Sequence, residues 1–284
     1  MILITGASGT VGGAVLTEVS RRGDAHRALY RSRDEAAKAP VGTETVIGDF
    51  ADPASLSTAL RGVESVYLVC APVRELVELE ANMVDACVLA GVRRIVLSSA
   101  LGAADYPKSF PSWHRQVEEK LRSTSLAHCV LRPNSFMQNV LAFFAPSIRA
   151  EGAFYAALAD ARIAYIDVRD IAPVAADALR GLHDGNTYEL HGPDAPTSAE
   201  LAAKITQHAG IPARFVDIPA AAQGQAMLDR GMPAWQVTAL LDLQDYYVGG
   251  KGGQPDGTLA RLLRRAPYTI DRFLDEFAAT FRAA

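Results

Sequence analysis

The stretch that most constrains this chain is Thr5-Gly6-Ala7-Ser8-Gly9-Thr10-Val11-Gly12-Gly13. Ile2, Leu3 and Ile4 before it form a strand-forming run suited to burial on both faces of a sheet. Ala14, Val15, Leu16 and Val19 after it continue at helical spacing. Strand, glycine turn and helix in that order make the entry unit of a dinucleotide-binding fold. One glycine lets the chain turn sharply, one brings backbone N–H groups up to a pyrophosphate, and one lets helix and strand pack closely. The helix N-terminus then presents unpaired N–H groups and a partial positive charge. The spacing is Gly-x-x-Gly-x-x-Gly, not the commoner Gly-x-Gly-x-x-Gly, so by itself it also describes a surface turn. Position decides for nucleotide binding, and Gly6, Ser8, Gly9, Thr10, Val11 and Gly12 are candidate cofactor-binding residues.

Strands and helices then alternate at short intervals. The pattern predicts a helix over 10–22, a strand over 26–30, a strand over 45–47 and a helix over 53–60. A strand over 65–70, a helix over 75–90, a strand over 94–99, a helix over 112–122 and a strand over 126–131 follow. Such alternation implies right-handed crossovers and a parallel sheet, with ligands held outside the carboxyl ends of the strands. The expected fold is α/β, a Rossmann-type doubly wound parallel sheet with a smaller, mostly helical C-terminal substrate lobe. Residues 1–190 form the dinucleotide-binding domain, with a lobe insertion near 135–160, and 191–284 the lobe. A strand around 164–168 and a helix over 170–179 precede the lobe, which continues through helices over 198–209, 220–230, 235–246 and 271–281. Gly249-Gly250-Lys251-Gly252-Gly253 lacks the order of a phosphate loop and reads as a mobile flap or linker.

The strand tips carry the chemistry. An Asp or Glu at the second tip would select NAD through the ribose hydroxyls. Here Arg31 and Arg33 flank Ser32, and guanidinium forks suit a 2′-phosphate. NADP(H) is therefore favoured over NAD(H), the alternative being two solvated arginines balanced by Asp34 and Glu35. Asp49, at the third tip, can accept from the adenine amino group or cap the next turn.

The chain has 284 residues, 49% hydrophobic and 21% charged, with a formal net charge of -4. That is an ordinary globular composition, without the basic stripe of a nucleic-acid binder. Cys70, Cys87 and Cys129 sit apart among apolar neighbours and read as small buried hydrophobes in a reducing compartment. The six histidines show no metal-ligand spacing, so no metal is expected. No apolar run approaches the ~20 residues that span a bilayer. Nothing resembles a signal peptide, and the expected location is cytoplasmic. The expected partner is a small molecule, with neither nucleic acid nor membrane involved, and the chain acts as a monomer or homodimer.

Taken together, Ile4 through Gly12, Gly48-Asp49-Phe50, Ile95-Val96-Leu97-Ser98-Ser99, Glu118 with Leu121, and Leu131-Arg132-Pro133 leading to Phe136-Met137-Gln138-Asn139 resemble the NmrA-like branch of the atypical short-chain dehydrogenase/reductases. Ile166 through Ala172 and Phe273 through Phe277 agree as well. That branch includes NADPH-dependent quinone and dye reductases as well as redox-sensing proteins. The resemblance implies that Arg31 meets the 2′-phosphate, that Asp49 and Phe50 meet the adenine, and that Ala71 and Pro72 pass under the ribose. Ser98 would lie near the nicotinamide, and Pro133, Asn134, Ser135 and Phe136 would flank its carboxamide. Phe136, Asn139, Phe143 and Tyr155 would line the substrate pocket.

The departure lies where short-chain dehydrogenases carry Tyr-x-x-x-Lys. Counting back from Glu118, the lysine position holds His114 and the tyrosine position Phe110, which has no exchangeable proton. His114, Ser98 and Tyr106 are the remaining candidates for catalysis, Tyr106 only if its loop shifts. His114 can donate a proton, bond the ribose or orient substrate; the plainer reading is a partly exposed histidine on the first turn of a helix. The expected function is an NADP(H)-dependent oxidoreductase passing hydride to a small apolar or aromatic acceptor such as a quinone, enone, imine or carbonyl. The alternatives are a non-catalytic nucleotide sensor and an isomerase or cyclase.

Overall fold

Ile2, Leu3 and Ile4 are fully or nearly fully buried, as a central strand with helices on both faces requires. The computed structural model describes residues 1–282. Its strands are β1 (Ile2–Ile4), β2 (His26–Tyr30), β3 (Glu44–Ile47), β4 (Ser65–Leu68), β5 (Arg94–Ser98), β6 (Ala127–Pro133), β7 (Ala153–Ala156), β8 (Thr187–Leu190) and β9 (Arg214–Asp217). The first helices are α1 (Thr10–Arg21), α2 (Arg33–Ala36), α3 (Pro53–Ala59), α4 (Leu76–Ala90) and α5 (Ser109–Arg122). Then come α6 (Met137–Asn139), a π-helical stretch Val140–Phe144, α7 (Ala145–Glu151), α8 (Val168–Leu179) and α9 (Ser198–Ala209). The last are α10 (Ala220–Asp229), α11 (Ala234–Val248), α12 (Thr258–Leu263), α13 (Ile270–Glu276) and a 3₁₀ turn Ala278–Phe281.

Seven strands form one sheet in the order β3-β2-β1-β4-β5-β6-β8, parallel through β6. The chain runs outward from β1 to β3, then crosses back to lay β4 against β1. This reversal is the topological switch point, where α/β sheets open a crevice at the strand tips. Leu3, Leu68, Leu97, Met83 and Cys87 belong to the core against which α3, α4 and α5 pack. Asp52 caps α3 through the Ala54 N–H, with Pro53 in the first turn, as the sequence implied.

Two compact units divide the chain. One comprises Met1–Ala104, Pro111–Arg132 and Ile171–Glu189. The other comprises Asp105–Phe110, Pro133–Asp170 and the chain from Leu190 onward. In the second unit β7 and β9 form a two-stranded parallel sheet, and α9 is closed by a reciprocal capping box between Thr197 and Glu200. No helix among the described residues is long and apolar enough to cross a membrane.

Three expectations need correction. Of residues 164–168, Val168 already opens α8, and the first four are a buried extended segment, not a strand. They make one isolated bridge, Phe136 to Ile166, while the Ala164 N–H is bonded by the Gly252 carbonyl. The tail helix stops at Glu276 and tightens into the 3₁₀ turn. The glycine stretch 249–253 is fixed in place. Asn134 Nδ2 and the Ala164 N–H both donate to the Gly252 carbonyl, at 2.7 and 2.9 Å, and Lys251 Nζ pairs with Asp105 at 2.6 Å.

Candidate functional site

In the first unit the site grows from the turn after β1. Gly6 sits at φ +58°, the left-handed region that a side chain disfavours. A Cβ on Gly12 would lie 2.2 Å from the Gly6 carbonyl oxygen, so only glycine lets α1 start this close to the turn. Gly9 occupies the N-cap of α1 with no side-chain cap, and the first turn carries no acidic residue. Its N–H groups and positive end are thus left open to an anion. Ser8, Gly9 and Thr10 are exposed, while Val11 and Gly12 are buried.

Thr5 joins this turn to the neighbouring tip. Its hydroxyl donates toward the carbonyls of Tyr67 and Val69 at 3.0 Å and accepts from the Val69 N–H at 2.9 Å. The β4 tip continues through Cys70 to the exposed Ala71 and Pro72. At the β2 tip Arg31 and Arg33 are exposed, and their guanidinium groups enter no ion pair or hydrogen bond among the described residues. Arg33 opens α2, which Ser32 caps through the Glu35 N–H. Glu35 leans back to the glycine turn, accepting from Ser8 Oγ at 3.4 Å. Asp49 spends one carboxylate oxygen on the Ala51 N–H, and Phe50 is buried with its carbonyl accepting from Asn82 Nδ2 at 3.1 Å.

Ser98 and Ser99 end β5, both buried. Ser98 stands beside the Tyr67 hydroxyl, which is buried and makes no hydrogen bond of good geometry. Ser99 donates to Glu118 of α5 at 2.6 Å. The same fully buried carboxylate accepts both Nε and Nη2 of Arg132, at 2.9 and 2.6 Å, and Arg122 at 2.8 Å. Burial pushes the Glu118 acid up, but the Arg132 fork and Ser99 outweigh it and hold it below the ordinary carboxylate range. One turn earlier, His114 buries its Nδ1 without a hydrogen-bond partner. Desolvation pushes this imidazole down to about 4, against the opposing pull of Glu118, so it is neutral at pH 7.

The second unit holds the other sequence candidates. Pro133 and Asn134 are buried; Asn134 accepts the Ser135 N–H and donates to Gly252 and His191. Ser135 lies against the buried Tyr247 hydroxyl and accepts from Asn139 Nδ2 at 3.4 Å. Phe136 is half-buried. Phe143 is 62% exposed, and Tyr155 is also exposed, its hydroxyl bonded to Glu151. The aromatic cluster that does form is Phe144, Phe154 and Phe215, with centroid separations of 4.3 and 5.5 Å. Tyr106 bonds the Asp242 carbonyl at 2.8 Å and the Asp245 carboxylate at 2.9 Å on α11. Its hydroxyl is thereby committed to structure.

One residue escaped the sequence reading. Glu80 on α4 is 0% exposed, and its Oε1 accepts the Cys70 N–H at 3.0 Å. The signal was present, since position 80 falls four after Leu76 and three before Met83, on the apolar face of an otherwise acidic-backed helix.

An open glycine cradle, an uncapped helix start and free guanidinium groups at the second tip fit a phosphorylated dinucleotide, and they define a Rossmann-type nucleotide-binding protein. The profile of the NmrA-like family matches residues 1–249, and the chain belongs to that family. It is 34% identical over 292 residues to the NAD(P)H azoreductase of Xenophilus azovorans, covering the whole of both chains. It is 31% identical over 278 residues to quinone oxidoreductase 2 of Escherichia coli, covering 95% of this chain and 96% of that one. Among solved structures, the NADPH-dependent quinone oxidoreductase of Escherichia coli in complex with NADPH superposes with a TM-score of 0.89. That pair shares 28% identity, with 98% of this chain and 99% of the other covered.

Proposed function

We propose that this chain is an NADP(H)-dependent oxidoreductase that delivers hydride to a small apolar or aromatic acceptor of the quinone, enone, imine or carbonyl type. The observation that carries it is the pairing of the Gly6–Gly12 cradle with Arg31 and Arg33, cations left without partners beside the second strand tip. The relatives named above, an azoreductase and quinone oxidoreductases, support the same chemistry. Gly6, Ser8, Gly9, Thr10, Val11 and Gly12 hold the pyrophosphate, Arg31 and Arg33 the 2′-phosphate, and Asp49 with Phe50 the adenine. When bound, the reduced nicotinamide supplies the hydride.

None of the residues considered for catalysis is a strong proton donor. Phe110 offers no proton, Tyr106 is bonded to Asp245, and His114 is neutral. A neutral imidazole orients by hydrogen bonding and is a poor proton donor to the oxyanion that hydride addition forms on the acceptor. Such a site favours acceptors that take hydride first and collect a proton from water afterward, quinones and conjugated systems above simple ketones. The test is NADPH oxidation followed by absorbance with quinones, azo dyes, enones and unactivated ketones. Turnover of the first three over the last supports the reading. Tight NADPH binding with no turnover of any of them overturns it.

A further inference from the structure

Glu80 occupies a position that ordinary packing does not explain. Its carboxyl is fully buried, has one hydrogen bond, from the Cys70 N–H, and leaves Oε2 buried without a partner. No cation pairs with it among the described residues. Glu80 acts electrostatically on Tyr67 of β4 and on the Cys70 thiol just beyond that strand, and Arg31 and Asp49 act on the same thiol from the neighbouring tips. The adjoining α3 carries no titratable side chain. From α5, Lys120 pairs with Asp85, more than a turn away on α4. An unpaired carboxylate in such a place is costly, and the group is kept as an uncharged acid. Burial pushes it up to about 8, against the Cys70 amide.

The Cys70 amide belongs to the β4 tip at the switch point. Thr5 ties that tip from the β1 side at Val69, and Glu80 ties it from the α4 side one residue later. The next residues are Ala71 and Pro72. We propose that Glu80 is a positioning residue for the dinucleotide, a buried neutral acid that sets the β4 tip and makes NADP(H) binding take up a proton in mildly alkaline solution. This rests on the cofactor reading above. Negative charge brought to the strand tips disfavours ionisation of Glu80, and linkage is reciprocal, so ionised Glu80 weakens binding. No bond is made or broken, and the proton comes from solvent.

The experiment is calorimetric titration of the full chain with NADPH from pH 7 to 9.5, in buffers of different ionisation enthalpy. The 2′-phosphate titrates at about 6, below this window. Wild type is expected to take up roughly half a proton near pH 8.5 if binding raises the acid's pKa by about one, with affinity falling roughly five- to tenfold across the range. Glu80→Gln, which keeps an oxygen for Cys70, is expected to show neither the uptake nor the pH slope. Glu80→Ala is expected to bind NADPH more weakly than Glu80→Gln at pH 7, with melting curves confirming that both fold. Equal proton uptake in wild type and Glu80→Gln, or equal affinity in the two variants, overturns the assignment. If wild type binds tightly without proton uptake, the cofactor reading stands and Glu80 alone loses its role. If no form binds NADPH, both fall.

Discussion

At the scale of single residues, the site depends on groups whose ordinary partners are missing. Arg31 is exposed and unpaired beside a strand tip, so its energetic use is external. Arg31→Ala is expected to weaken NADPH binding by about ten- to a hundredfold, the worth of a charge-assisted contact to phosphate, and to leave NADH within about threefold. Fluorescence titration with both nucleotides reads this directly, and equal weakening removes the phosphate role. His114 has the opposite predicament, a half-buried imidazole whose Nδ1 is shut off from solvent without a hydrogen-bond partner. With its folded value pushed down to about 4 and an unfolded value of 6.5, the unfolded chain binds a proton first as pH falls. Nothing is lost above pH 6.5. Between pH 6.5 and 4 the fold is expected to lose up to roughly 3 kcal/mol on this account, a loss that His114→Gln should not suffer. Melting curves of the two proteins from pH 7 to pH 4 should therefore converge or cross on the acid side.

At the scale of elements, α5 is anchored by one carboxylate. Glu118 gathers Ser99 from β5, Arg132 from β6 and Arg122 from its own next turn, and this fixes the height at which His114 stands. Glu118→Ala strands the largely buried Arg132 guanidinium and is expected to cost about 3–5 kcal/mol. Denaturant or thermal unfolding checks it; a loss below about 1 kcal/mol would mean that the network is decorative. The extent of α5 was only partly legible. Pro111 suggested that the helix begins after it, at about Ser112, yet the structure starts it at Ser109 and keeps Pro111 in the first turn, where its missing N–H is not needed. The parallel strands and α1, α3 and α4 were readable because their burial follows period and punctuation closely, whereas the short α2, with no buried residue, left no such pattern. Residues 164–168 were not, because a buried apolar run bonded to loops has the composition of a strand. In the site, the glycine turn and Arg31 could be read locally. Glu80 could not be assigned, since its meaning depends on the Cys70 amide that only the fold brings to it.

At the scale of the whole chain, the order β3-β2-β1-β4-β5-β6-β8 explains why residues scattered over a hundred positions share one edge. Parallel strands end on the same side, and the reversal at β1 and β4 opens that side between two tips tied together by Thr5. The second unit achieves order by other means, through the fixed Gly249–Gly253 stretch, where Asn134 and Ala164 hold the Gly252 carbonyl and Asp105 holds Lys251. A protease needs several residues of freely extended chain in its cleft, and a lysine amid four glycines looks like an invitation to trypsin. Native digestion followed by mass spectrometry is expected to leave the bond after Lys251 uncut until the protein unfolds. Asn134→Ala, by releasing the loop, should turn that bond into an early cleavage site. An apparently slack segment would then serve as a reporter of native integrity, scored by a band on a gel.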